Sequence, residues 1–161
     1  MANLVNVSGA RLTRRAELQR GPVTEFLAFV LAGETYAVPL TKILEILSPP
    51  PITEVPRAPG DVVGVCSVRG LLVTVVDLRR RLAVDQAAPT RRTRILLTET
   101  TSSEVVGLLV DGVDQVIRLT DSEIELASTV LGGDVSEHVL GIGRPPGREI
   151  ILLDLTAVVP G

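Results

Sequence analysis

Val62-Val63-Gly64-Val65-Cys66-Ser67-Val68-Arg69-Gly70-Leu71-Leu72-Val73-Thr74-Val75-Val76-Asp77-Leu78 carries most of the structural information in this chain. Two near-continuous apolar runs, Val62 to Val68 and Leu71 to Val76, are joined by only Arg69-Gly70. This reads as two buried strands in a tight hairpin, with Gly70 supplying a positive φ that a side chain resists. Asp77 then opens a short helical turn. Its carboxylate can accept a hydrogen bond from an exposed backbone N–H, as an N-cap does. Arg79, Arg80 and Arg81 follow, where the end of a helical turn favours positive charge.

The same pattern returns downstream. Val62, Gly64, Gly70, Asp77 and Leu78 recur as Val139, Gly141, Gly147, Asp154 and Leu155, each 77 positions later. Upstream, Ile43-Leu44-Glu45-Ile46-Leu47 aligns with Val113-Asp114-Gln115-Val116-Ile117 at a spacing of 70. A period near 70 is too long for a solenoid repeat of roughly 20–50 residues. It suits two similar small subdomains, with a groove between the copies and two outer faces, an arrangement that joins partners.

The remaining elements fall between these anchors. Val23 to Leu31 and Thr35 to Val38 flank Gly33-Glu34 as a hairpin. Pro39 suits the first turn of a helix, and Leu40, Ile43, Leu44 and Leu47 recur at helical spacing, so a helix is expected there. Pro49-Pro50-Pro51 ends it. A short strand at Ile52 to Val55 and a rigid loop with Pro56, Pro59 and Gly60 precede the central hairpin. Asp85 to Thr90 reads as a linker. Thr93 to Thr98, Glu104 to Val110 and Gln115 to Leu119 read as strands, with Asp111 to Asp114 as a short turn or helix. Asp121 to Gly133 is mixed. Val139 to Gly143 and Arg148 to Leu153 form the second hairpin, and Asp154 caps a last helical turn through Val159. Many short strands at regular spacing argue for all-β barrels or sandwiches. Residues 1–22, polar and basic up to Gly21-Pro22, read as a flexible tail ahead of a domain at 23–159.

Composition excludes several classes. The chain has 161 residues, 45% of them apolar, with no Trp, one Tyr and two Phe. Base-stacking platforms are therefore almost lacking, and a net charge of −3 offers no global basic field for phosphate. One cysteine, Cys66, excludes an internal disulfide and reads as a buried structural thiol. One Cys and one His, His138, give no raw material for the usual metal clusters. No secretory signal is evident, and the longest apolar run, Phe26 to Ala32, is far short of the roughly 20 residues that span a bilayer. A cytoplasmic, soluble protein without direct membrane insertion is expected.

Candidate chemistry is sparse. Gly141-Ile142-Gly143-Arg144-Pro145-Pro146-Gly147 resembles a phosphate loop only superficially, because prolines replace the flexible positions and a strand follows. Gly107 falls inside a strand. His138 has no evident serine partner, and no Gly-x-Ser-x-Gly elbow exists. Asp111 and Asp114 read as turn formers. Arg79 to Arg81 with Arg91, Arg92 and Arg94 make a solvated surface or a basic patch for an acidic partner. Arg69, at the tip of the best-defined hairpin, can reach across the molecule, and Glu45 on the expected helix is its acidic counterpart. An exposed turn arginine is the alternative.

These residues resemble the CheW family of adaptors, which couple chemoreceptors to the histidine kinase CheA. The resemblance is carried by Phe26-Leu27-Ala28-Phe29, Tyr36-Ala37-Val38-Pro39, Ile43-Leu44-Glu45-Ile46, Pro56 with Ala58-Pro59, and Gly64 to Gly70. Val75-Val76-Asp77-Leu78-Arg79, Val106 to Val113 and Ile151-Leu152-Leu153-Asp154 complete it. The resemblance implies an all-β fold of two intertwined five-stranded SH3-like barrels, no catalysis and no cofactor. It implies a groove between the barrels for the cytoplasmic tip of the receptor and an outer face for the CheA regulatory domain. It further implies that other CheW-like domains can join in rings and that the protein is recruited to receptor arrays. It carries partner binding onto Ile43, Glu45, Ile46 and Arg69, while Gly64, Gly70, Asp77, Gly107, Gly141, Gly147 and Asp154 serve turns and caps. Ser67 and Thr74 depart from the Asn and Pro frequent in the family, and Thr74 restores a backbone donor to its strand. A diverged adaptor for a non-flagellar pathway or an array-blocking antagonist would share this pattern. A small β-barrel nucleic-acid binder and a small hydrolase are the rivals from other classes.

Overall fold

A computed structural model describes residues 22–127 and 138–159, so residues 1–21 of the expected tail lie outside the described residues. The central hairpin forms as read, with β4 (Val62–Val68) antiparallel to β5 (Leu71–Asp77). Val68 faces Leu71 across a two-residue turn in which both central residues have positive φ, +50° at Arg69 and +82° at Gly70. That geometry matches the twist of the flanking strands. The short helix α1 (Leu78–Arg81) follows, and the Asp77 carboxylate accepts the amides of Arg79 and Arg80.

Two sheets result, and each draws strands from both halves of the chain. β1 (Val23–Leu31) and β2 (Glu34–Pro39) join strands of the second half: β8 (Gly112–Thr120), β9 (Ile124–Leu126), β10 (Val139–Gly143) and β11 (Ile150–Leu153). Their order is β8-β1-β2-β11-β10-β9. The other sheet places β3 (Ile43–Leu47), β4 and β5 of the first half with β6 (Arg94–Glu99) and β7 (Val105–Val110) of the second, in the order β3-β6-β7-β5-β4. Each half thus lends its first hairpin to the other half's sheet. Strands of the two halves meet in two parallel pairs, β2 with β11 and β5 with β7, and in two antiparallel ones, β1 with β8 and β3 with β6.

Each sheet curls around its own core. Phe26, Ala28, Ala37, Leu119, Ile150 and Leu152 fill the first, and Cys66, Val73, Val75, Ile95 and Leu97 fill the second. A third cluster lies between them and includes Leu27, Phe29, Leu31, Leu96, Leu108 and Leu153. β1 therefore alternates between two apolar cores, which explains its unbroken apolar run from Phe26 to Leu31. The fold is two intertwined SH3-like barrels. One sheet has six strands, counting short β9. In the other, the place of β9 is taken by a single bridge between Thr53 and Val65, so the strand expected at Ile52 to Val55 reduces to that contact.

Two further expectations are corrected. The helix expected over Leu40 to Leu47 is a single 3-10 turn, Leu40–Lys42, followed by strand β3. The turn or helix expected at Asp111 to Asp114 is one bend at Asp111, after which β8 starts at Gly112. At the first place the apolar spacing that suggested a helix belongs to an edge strand with Leu44 and Ile46 exposed, and at the second the turn-forming Asp111 and Gly112 mark only the start of an edge strand. The last helix, α2 (Leu155–Val158), is capped by Asp154, whose carboxylate accepts the Thr156 amide.

The duplication extends to single hydrogen bonds. Asp77 donates its amide to Asp61 O at 2.8 Å, and Asp154 donates to His138 O at 2.8 Å. At Gly64 and Gly141, a Cβ would lie 2.2 Å from Thr53 O and 2.3 Å from Glu125 O, so glycine lets a neighbouring backbone approach at both. Gly107 is closed by a side chain instead, with a Cβ falling 2.6 Å from Ile95 Cγ2.

Candidate functional site

The central hairpin ends at a surface that is both apolar and charged. Arg69 occupies a left-handed conformation that costs a residue with a Cβ, and where Asn or Gly is usual. Its side chain explains the choice. The guanidinium reaches β3 and forms a two-pronged ion pair with Glu45, with Nη1 at 2.7 Å from Oε2 and Nη2 on Oε1. Such forked pairs fix direction as well as distance. The Arg69 side chain keeps 73% of its surface exposed and Glu45 keeps 32%, so the pair stands in reach of a partner. The hydrogen bond from Arg69 holds the Glu45 carboxyl below the usual glutamate range.

An open groove of about 390 Å³ lies against this pair. Leu44, Val68, Leu71, Leu72 and Val105 line it, with Leu97 and Val73 beneath. Leu71 and Leu72 are 68% and 78% exposed, the most exposed large apolar side chains among the described residues. Single exposed leucines are ordinary, but three bordering one groove mark a contact surface.

The equivalent place in the second half differs in chemistry. By the repeat, Leu44 corresponds to Asp114 and Leu71 to Arg148, and these two form an ion pair at 3.0 Å. Charge replaces the apolar pair, so the two barrel faces differ in chemistry while sharing a backbone.

Of the residues singled out in the sequence, Glu45 and Arg69 meet. Ile46 is 41% exposed on β3, as its repeat mate Val116 is at 44% on β8. Ile43 is half-buried against the cluster between the barrels. Leu44, Leu71 and Leu72 were not singled out, because continuous apolar runs do not distinguish a strand's buried end from its exposed one. Cys66 is 3% exposed, and burial pushes its thiol up. Gly141 to Gly147 forms the end of β10 and a turn in which Arg148 donates its amide to Pro145 O at 3.1 Å. Among the described residues, no group of three His, Cys, Asp or Glu side chains is placed to hold a metal, and no helix is long and apolar enough to cross a membrane.

A further ion pair crosses between the halves. Arg79, at the start of α1, bonds Asp111 through Nε at 2.6 Å and also through Nη2, and Asp111 Oδ2 accepts the Ala32 amide at 2.8 Å. One carboxylate thus ties α1, the β1–β2 turn and the β7–β8 junction.

Two intertwined barrels with one open apolar face and an exposed, preorganised ion pair define a protein-binding module. A CheW-like domain profile matches residues 25–160, and the chain belongs to that family. It is 32% identical over 136 residues to the chemotaxis protein CheW of Rhizobium meliloti, covering 84% of this chain and 87% of that one. It is 34% identical over 137 residues to protein FrzA of Myxococcus xanthus, covering 84% of each. The crystal structure of the scaffolding protein TtCheW from Thermoanaerobacter tengcongensis superposes with a TM-score of 0.78 at 26% identity, covering 87% of this chain and 94% of that one.

Proposed function

We propose that this protein is a non-catalytic chemotaxis adaptor that couples the cytoplasmic tip of chemoreceptors to the regulatory domain of a CheA histidine kinase. The observation that carries this reading is the open Leu44-Leu71-Leu72 groove beside the Glu45–Arg69 pair, in a chain of the CheW-like family. Apolar anchors ringed by polar groups are the usual make-up of an interface centre. Ile43, Glu45, Ile46 and Arg69 serve as partner contacts, and the unlike faces of the two barrels let one chain hold two different partners. Other CheW-like domains extend the assembly into rings, and the protein acts in the cytoplasm, recruited to receptor arrays.

Reconstitution tests the reading. Receptor cytoplasmic fragments and CheA from the same cell, assembled with this chain, are expected to show receptor-controlled autophosphorylation. Kinase output that ignores the addition of this protein would refute the coupling role.

A further inference from the structure

The segment that leads into β6 presents three arginines on a braced turn. Thr93 donates its amide to Thr90 O at 3.2 Å, so Arg91 and Arg92 are the two central residues of a tight turn. Both threonine hydroxyls stiffen it. Thr93 Oγ1 accepts the Thr90 amide at 2.8 Å, and Thr90 Oγ1 accepts the Arg92 amide at 3.0 Å. Arg94 closes over the turn, with Nη1 donating to Arg91 O at 2.8 Å and to Thr93 O at 2.7 Å. A guanidinium carries five donors, so Arg94 keeps several free.

These charges are not neutralised within the described residues. The ion pairs there use Arg69, Arg79, Arg80, Arg81, Arg118, Arg144 and Arg148, and none uses Arg91, Arg92 or Arg94. The two carboxylates bordering the adjoining groove, Asp111 and Asp114, are already bound by Arg79 and Arg148. That groove, of about 520 Å³, has Arg92 and Arg94 on its rim and Val30 and Val113 on its wall. It shares no residue with the Leu71-Leu72 surface.

We propose that the Thr90–Thr93 turn and this groove form a second docking site, which takes an acidic segment of a partner protein. Planar guanidiniums on a rigid turn match carboxylates in a two-pronged geometry without losing much side-chain freedom on binding. The apolar wall accepts a neighbouring aliphatic side chain. A protein segment fits better than a long polyanion, because the whole chain has a net charge of −3 and opposes extended phosphate fields.

Polyglutamate peptide is the probe, titrated into the full chain at low salt and followed by amide chemical shifts. Saturable binding is expected, with the largest shifts at Thr90 to Thr93, weakening as salt rises. The variant Arg91→Gln/Arg92→Gln, which keeps the basic residues of the N-terminal tail, is expected to bind about tenfold more weakly or worse. Should that variant fail to fold, Arg91→Lys/Arg92→Lys keeps the charge but loses the fork and is expected to bind several-fold more weakly. Unchanged affinity in the folded variant would overturn the proposal. So would duplex DNA that moves the same amides at lower concentration than the peptide.

Discussion

Arg81 and Val158 occupy the same place in the two halves, 77 residues apart, and they touch: Arg81 Nε donates to Val158 O at 2.9 Å. When a residue meets its own repeat mate, the axis relating the copies passes through the contact. The ends of α1 and α2 therefore mark the centre of an approximate two-fold. The binding features depart from that symmetry. Glu45 and Arg69 correspond to Gln115 and Pro146, which cannot form the pair, and Leu44 and Leu71 correspond to the bonded Asp114 and Arg148. The fold keeps its symmetry in its caps and close approaches, and breaks it on its outer faces.

Gly64→Ala and Gly141→Ala are expected to cost about 3 kcal/mol or more each, because the new methyl meets a backbone oxygen that cannot rotate away. Gly70→Ala meets nothing within 4 Å and suffers only its positive φ, about 1 kcal/mol. Urea denaturation of the three variants checks the order. Equal losses at Gly64 and Gly70 would contradict the close-approach account.

Asp111→Ala strips Arg79 of its partner and leaves the Ala32 amide unbonded. The side chains of the pair are only 12% and 25% exposed. A loss of about 2–3 kcal/mol is expected in chemical denaturation. A loss near zero would mean that this carboxylate does not tie the halves.

Arg69→Asn suits the turn better than arginine does and is expected to raise the thermal midpoint while weakening partner binding. The exchange Glu45→Arg/Arg69→Glu separates two roles. If the pair shapes the groove, binding returns in the double variant. If Arg69 meets a partner carboxylate, it does not.

The Glu45–Arg69 pair has a pH signature. The folded-state value for Glu45 is lowered, so its small stabilising effect is present above the ordinary glutamate value of about 4.3 and is lost as pH falls through the lowered one. A carboxyl NMR titration is expected to place Glu45 below that value and to move it upward in Arg69→Ala. An unchanged titration would show that the pair does not form in solution.

Leu72→Glu removes apolar surface that water already reaches. Stability is expected to change by no more than about 0.5 kcal/mol. Affinity for the kinase regulatory domain is expected to fall at least about tenfold, as for an interface anchor. Pulldown and thermal melting together read both quantities.

Much of this architecture is legible in the sequence, and the exceptions share a cause. β4 and β5 are plain because two continuous apolar runs are separated by only Arg69-Gly70. Asp77 and Asp154 announce their caps by position. β3 is misread as a helix because Leu44 and Ile46, which follow the half-buried Ile43, are exposed on an edge strand. Exposed apolar side chains such as Leu44 and Ile46 blur the in-and-out alternation that marks a strand. The repeat itself held the correction, since the stretch aligned with Ile43 to Leu47 overlaps the strand read at Gln115 to Leu119. The Arg79–Asp111 tie and the braced arginine turn were not legible. Both depend on side chains brought together by the exchange of hairpins or by threonine hydroxyl geometry, which no local pattern displays.

The most direct measurement is calorimetric titration of this protein with the regulatory domain of a CheA from the same cell. Saturable binding at one to one is predicted, lost in Leu72→Glu and weakened in Arg69→Asn. No heat of binding with any CheA regulatory domain of that cell would contradict the adaptor account while leaving the fold intact.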